Sequence, residues 1–168
     1  MCVRTYRRTS VCARTRVCYA FSMVDDVADT WGALLKVHAA LVPRLDRELQ
    51  ETHGLPLTWY DVLLELNGAP QRRLTMGQLG SVAAVSRTRV SRVVDELVRA
   101  GLVTREPNPE DGRSAFAALS PAGRAVLRKA APTYVAAVRR VFTDHLTAHE
   151  SQSVASALRK VLDASARG

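Results

Sequence analysis

The chain has 168 residues, a formal net charge of +8 and only 5% aromatic residues. That length supports one domain with a solid core and is short for two. No apolar run approaches the ~18 residues of a membrane-spanning helix, and the chain carries no glycine-rich phosphate loop, no His-Glu-x-x-His and no nucleophile elbow.

Residues 1–23 stand apart. They hold Arg4, Arg7, Arg8, Arg14 and Arg16, no acidic residue, and all three cysteines, Cys2, Cys12 and Cys18. Taking those five arginines from the 24 basic residues leaves 19 against 16 acidic ones in 24–168, so most of the excess charge is in this stretch. It is expected to be a disordered basic extension. Three readings stay open: an arm that tracks phosphates, a transit-like peptide, or a segment ahead of a true start at Met23 or Val24. The helical pattern begins at that last point, which favours the third. With no cysteine in 24–168, neither a disulfide framework nor a thiol switch is expected there, and a reducing cytoplasm is the expected compartment.

A first long helix is predicted over 25–52. Val27, Trp31, Leu34, Leu35, His38, Leu41, Val42, Leu45 and Leu49 keep helical spacing. Asp25, Asp26 and Asp29 suit the positive end of its dipole. His53-Gly54 ends it, and Thr58 with Asp61 opens a second helix that Gly68-Ala69-Pro70 closes. Thr75 and Gln78 then form a capping box for a short helix carrying Leu79 and Val82. Ala83, Ala84 and Val85 make a small apolar turn. Ser86 is a good N-cap for the next helix, to about Ala100, with Val90, Val93, Val94 and Leu97 as its buried stripe and Gly101 as its left-handed stop.

Outside that stripe lie Arg87, Thr88, Arg89, Ser91 and Arg92, all in the first two turns. Asp95 and Glu96 confine the cationic character to that end. Arginine reads guanine O6 and N7 with two hydrogen bonds, and Ser and Thr reach phosphates or base edges. A helix front of this kind fits the major groove of double-stranded DNA. The bland alternative is a solvated arginine face. Leu102 and Val103 begin a short strand and Ser114 to Leu119 return it. The intervening Pro107 to Arg113 is dense in turn formers. Arg113 at the tip is the expected second DNA contact, while Asp111 either orients an arginine or caps the turn.

Ser120-Pro121 opens a further helix to about Asp144, with Leu127, Ala131, Tyr134, Val138, Val141 and Phe142 as its stripe and Pro132 as an expected kink. Thr147 with Glu150 is a second capping box, and Val154, Leu158, Val161 and Leu162 give the last helix an expected buried face. The outer helices, about 25–52 and 121–166, are poorly explained by a monomeric core around a reading head at about 57–119. A homodimer would bury both, and would place two recognition helices ~34–36 Å apart on an inverted-repeat operator.

Metal ligation needs clustered side chains, and the expected helix break near Thr147 separates His145 from His149, so no metal and no cofactor are expected. His38 falls on the apolar stripe of the first helix, where a core histidine is one reading.

The run Ser86 to Glu106, then Pro109-Glu110-Asp111-Gly112-Arg113, then Ala118-Leu119-Ser120-Pro121-Ala122-Gly123-Arg124, resembles the MarR (multiple antibiotic resistance regulator) family. Gly54 to Leu66 also looks like the segment ahead of its reading head. Gly80, Arg89 and Ser120 depart from the usual residues, and Arg89 bears on operator sequence. The resemblance spans 24–166. It implies a mostly α fold with a small β-hairpin wing, a winged helix-turn-helix flanked by N- and C-terminal dimerisation helices. It also implies a sequence-specific homodimeric repressor or activator, relieved by a small-molecule (phenolic or other lipophilic) effector bound near His38, Trp59 and Tyr134, and no enzyme. Two other functions remain: a sequence-tolerant architectural DNA protein driven by the basic tail, and a winged-helix module that docks a protein.

Overall fold

The computed structural model describes residues 16–83, 87–109, 111 and 114–165, with side chains from Val27 onward except that of Arg87. Helix α1 (Arg16–His53) is followed by α2 (Leu57–Gly68), a 3-10 turn at Pro70–Arg72, strand β1 (Arg73–Thr75), α3 (Met76–Val82) and α4 (Arg87–Arg99). Strands β2 (Val103–Pro107) and β3 (Ala115–Leu119) lead to α5 (Pro121–Val141), a 3-10 turn at Thr143–His145, and α6 (Ala148–Ser165). The mostly helical fold with a small sheet is as the sequence predicts.

The contacts divide the chain into two units, 1–40 and 41–168. In the described part of the first, α1 begins at Arg16 rather than Asp25. Nothing between Arg16 and Trp31 breaks a helix, so it runs on through the start expected at Asp25. Val27, Trp31, Leu34, Leu35 and Val37 are exposed on this helix.

The second unit holds the core. Leu49, Val62, Leu63, Leu66, Leu79, Val90, Val94, Leu97, Val103 and Ala117 are buried in one cluster, with Val42 and Leu45 packed against it. Thus the apolar spacing of α1 is buried only over its last turns. Truncating one of these leucines to alanine would cost ~2–5 kcal/mol. Helix α2 opens at Leu57, one residue before the expected Thr58, because Asp46 of α1 supplies the cap: its Oδ1 accepts from the Leu57 amide at 2.8 Å.

The sheet has the order β1-β3-β2, antiparallel throughout, with Arg73 opposite Ala118 and Thr104 opposite the same residue on the other edge. Strand β1 is additional to the expected hairpin. Arg73 holds it in place, with its guanidinium 4.7 Å from the Phe116 ring centroid and 3.3 Å from Glu106. Thr75 ends β1 and caps α3 in the same step, and its capping box with Gln78 is complete.

Helix α4 stops as expected. Gly101 takes φ 72°, and the Leu102 and Gly101 amides bond the Leu97 and Val98 carbonyls at 2.9 Å each, a Schellman closure. Ser120 then ties this stop to the next helix. Its hydroxyl donates to the Gly101 carbonyl at 2.7 Å and accepts from the Gly123 amide at 3.0 Å. Gly123 approaches so closely that a Cβ there would lie 2.1 Å from the Leu102 carbonyl oxygen.

Helix α5 ends at Val141 rather than near Asp144 and continues through an exposed Pro132. Glu48 of α1 pairs with Arg140, and His53 Nε2 lies 2.8 Å from Thr133 Oγ1. The Thr147–Glu150 box opens α6 as expected. Its apolar face is not buried within the chain: Val154, Leu158, Val161 and Leu162 are 37%, 39%, 62% and 67% exposed. The side chains are spaced for burial, but no other described element covers them.

Candidate nucleic-acid interface

Helix α4 buries Val90, Val93, Val94 and Leu97 and leaves Thr88, Arg89, Ser91 and Arg92 exposed. Successive residues turn about 100° around a helix axis, so these four do not share one direction. Thr88, Arg92 and Asp95 lie opposite the buried stripe, Ser91 toward one flank and Arg89 and Glu96 toward the other.

The two acids fasten the helix to its neighbours. Asp95 Oδ1 accepts from Arg105 of β2 at 2.6 Å, tying α4 to the base of the wing. Glu96 Oε2 accepts from the Trp59 indole at 3.0 Å, tying it to α2. Sequence reasoning treated Asp95 and Glu96 only as the limit of the cationic region. Their adjacency, which sets them about 100° apart around one helix, was the available signal. Both pairs are partly solvated, so each contributes orientation more than stability.

Between α2 and α4 lies a cavity of about 470 Å3 lined by Thr58, Thr88, Arg89, Arg92, Val93 and Glu96. Thr58 was not a sequence candidate for a site. A second hollow, at the foot of the wing, is lined by Thr75, Gly77, Arg105, Asn108, Asp111 and Ser114.

The hairpin narrows through Asn108 Nδ2, which donates to Ser114 Oγ at 2.8 Å, and through the Ser114 amide, which donates to the Asp111 carbonyl at 3.0 Å. Asp111 is exposed, and its backbone closes this turn. Ser86 and Arg113 lie outside the described residues, as does the side chain of Arg87, whose backbone opens α4.

The expected effector residues fall in both units. His38 is exposed on the first unit. In the second, Trp59 is half-buried and engaged with Glu96, while the Tyr134 ring lies 4.5 Å from that of Tyr60. Burial, then the nearby Asp61 carboxylate, pushes the Tyr134 phenol up. Asp61 itself is raised to about 6, by burial and then by Glu65.

The sequence pattern of the MarR family matches residues 53–114, from the end of α1 to the foot of β3. The chain is 37% identical to Sco3205, a MarR family transcriptional regulator of Streptomyces coelicolor solved in complex with DNA. The two superpose with a TM-score of 0.74 over 80% of this chain and 88% of that one. The chain belongs to the MarR family. AbsC, another MarR family transcriptional regulator of Streptomyces coelicolor, is 31% identical with a TM-score of 0.74, over 83% of this chain and 93% of its own. YkoM, an uncharacterised helix-turn-helix-type transcriptional regulator of Bacillus subtilis, is 34% identical over 92 residues. That match takes in 54% of this chain and little more than half, 58%, of YkoM. The MarR family consists of transcriptional regulators, and its winged-helix architecture is the one described above. Among the described residues no helix is long and apolar enough to cross a membrane.

Proposed function

We propose that this protein is a homodimeric, sequence-specific regulator that reads an inverted-repeat operator in double-stranded DNA and works in the cytoplasm as a regulator, not an enzyme. One observation carries the reading. The front of α4 presents Thr88, Ser91 and Arg92 to solvent while both acids of that helix are held by Trp59 and Arg105. The helix is therefore braced in the orientation that exposes its cationic end. Ser86, Arg87, Arg89 and Arg113 join it as proposed DNA contacts, with Asp111 shaping the turn that carries Arg113. The Sco3205 complex supports a DNA partner.

The uncovered apolar side chains of α6, and those of α1 around Trp31, support the homodimer. A second copy would bury both faces. An effector with a phenolic or other lipophilic ring would act beside Trp59 and Tyr134, and would weaken DNA binding by disturbing the Trp59–Glu96 bond.

The test is to select duplexes from a random pool with the full chain, then titrate the enriched duplex and random DNA at two salt concentrations. A regulator of this kind prefers the enriched duplex by at least ~10³-fold. Equal affinity for both would point to a sequence-tolerant packing protein. No affinity for either at low salt would point to a protein-docking module.

A further inference from the structure

Resting on that reading, we infer that the cavity between α2 and α4 is a seat for a backbone phosphodiester, with Arg89 and Thr58 as its contacts, so that Arg89 grips phosphate rather than reading a base. Three observations support this. First, Arg89 lies on the α2 flank of the helix, not on the outward face with Thr88 and Arg92, and so addresses the rim of the groove. Second, the cavity combines two guanidinium groups, Arg89 and Arg92, with the hydroxyls of Thr58 and Thr88. Cations and hydroxyl donors are the chemistry that holds a phosphate oxygen. Third, the one carboxylate among its described lining residues, Glu96, is bound to the Trp59 indole. Glu96 sits seven residues beyond Arg89, about 10 Å along the helix axis. An anion therefore has a cationic end to occupy, at Thr88, Arg89 and Arg92, away from the acid.

Thr58 belongs to α2 and not to the reading helix. The seat therefore ties the DNA backbone to two elements at once, and Trp59, the next residue, links the same two. Contact with one phosphate would set how deep α4 lies in the groove.

The experiment uses the full-length wild type, Arg89→Gln and Thr58→Val on the duplex that the wild type enriches from a random pool. Duplexes carrying single methylphosphonate linkages walked along each strand are compared with it. Arg89→Gln is expected to weaken binding about tenfold and to reduce the salt slope by about one, with the ranking of single-base variants of the duplex unchanged. Thr58→Val is expected to weaken it about threefold on every duplex with the slope unchanged, as loss of one neutral hydrogen bond requires. At one linkage per half-site, removing the phosphate charge should weaken the wild type and abolish its advantage over Arg89→Gln. Thermal unfolding of both variants should match the wild type, since Arg89 is exposed and Thr58 only partly buried. A changed base preference in Arg89→Gln, or a walk with no linkage at which it and the wild type converge, overturns the phosphate seat while leaving DNA binding intact. A pool from which the wild type enriches nothing overturns the proposed function and the seat together.

Discussion

Replacing Gly123 by alanine sets two effects of known size against each other. In an ordinary helix the change would stabilise by about 1 kcal/mol, since glycine is the poorer helix former. Here the added Cβ would lie 2.1 Å from the Leu102 carbonyl oxygen, 3.0 Å from the Leu102 carbonyl carbon and 2.9 Å from Leu119 Cδ1. Two of those atoms are backbone, and the Ser120 amide bonds the same Leu102 oxygen at 3.1 Å, so the strand cannot move aside without cost. Overpacking of this kind costs ~1–3 kcal/mol, and moving α5 away would also release the Ser120 cap, worth ~1 kcal/mol. The net expectation is a loss of about 2 kcal/mol, or roughly 5 °C in Tm for a chain of this size. Urea denaturation and thermal unfolding of the full chain would measure it, with Ala125→Gly, an exposed position in the same helix, as the reference for propensity alone. An unchanged or more stable Gly123→Ala protein would refute the close-approach reasoning.

Asp61→Asn tests the raised carboxyl near Tyr134. The ordinary value near 3.8 becomes about 6 in the folded chain, so the native state binds this proton more tightly and loses stability as pH rises through that range. The variant should match the wild type near pH 4 and exceed it by about 1 kcal/mol near pH 7.5, the partial exposure of the site reducing the full effect. A gain independent of pH in urea titrations would sink this. Leu158→Glu with Leu162→Glu on α6 should convert a dimer into a monomer in analytical ultracentrifugation while changing stability of the single chain by under ~1 kcal/mol, because both side chains are exposed. Dimers that persist at micromolar concentration would exclude α6 from the interface. Trp59→Phe removes the donor to Glu96 and should cost under ~1 kcal/mol in urea denaturation, with a several-fold loss of affinity for the enriched duplex. Unchanged DNA affinity would show that α4 needs no brace from α2.

Local signals carried the recognition of helix ends. Thr75 with Gln78, Thr147 with Glu150, Ser120 with Pro121, and Gly101 each work through partners within five residues or so, and each acts as its sequence pattern predicts. The features that stayed hidden depend on distant partners. Strand β1 is three residues long, too short for periodicity, and exists because Arg73 and Leu74 meet Ala118 and Ala117. The cap of α2 comes from Asp46, eleven residues upstream. For the candidate site, the exposed arginines were legible from the gap in a buried stripe. The Arg105 and Trp59 tethers were not, because they belong to elements whose packing against α4 no local spacing encodes. The apolar pattern of α6 marks a face suited to burial, but periodicity does not say whether this chain or another covers it.

Thr75 is at once the final residue of β1 and the cap of α3, and β1 is laced to the central strand of the wing. The hairpin and the first helix of the reading pair are thus geared together. A displacement of Phe116 and Ala117 would carry the foot of α3 with it, because the residue paired to Phe116 is the one that caps that helix.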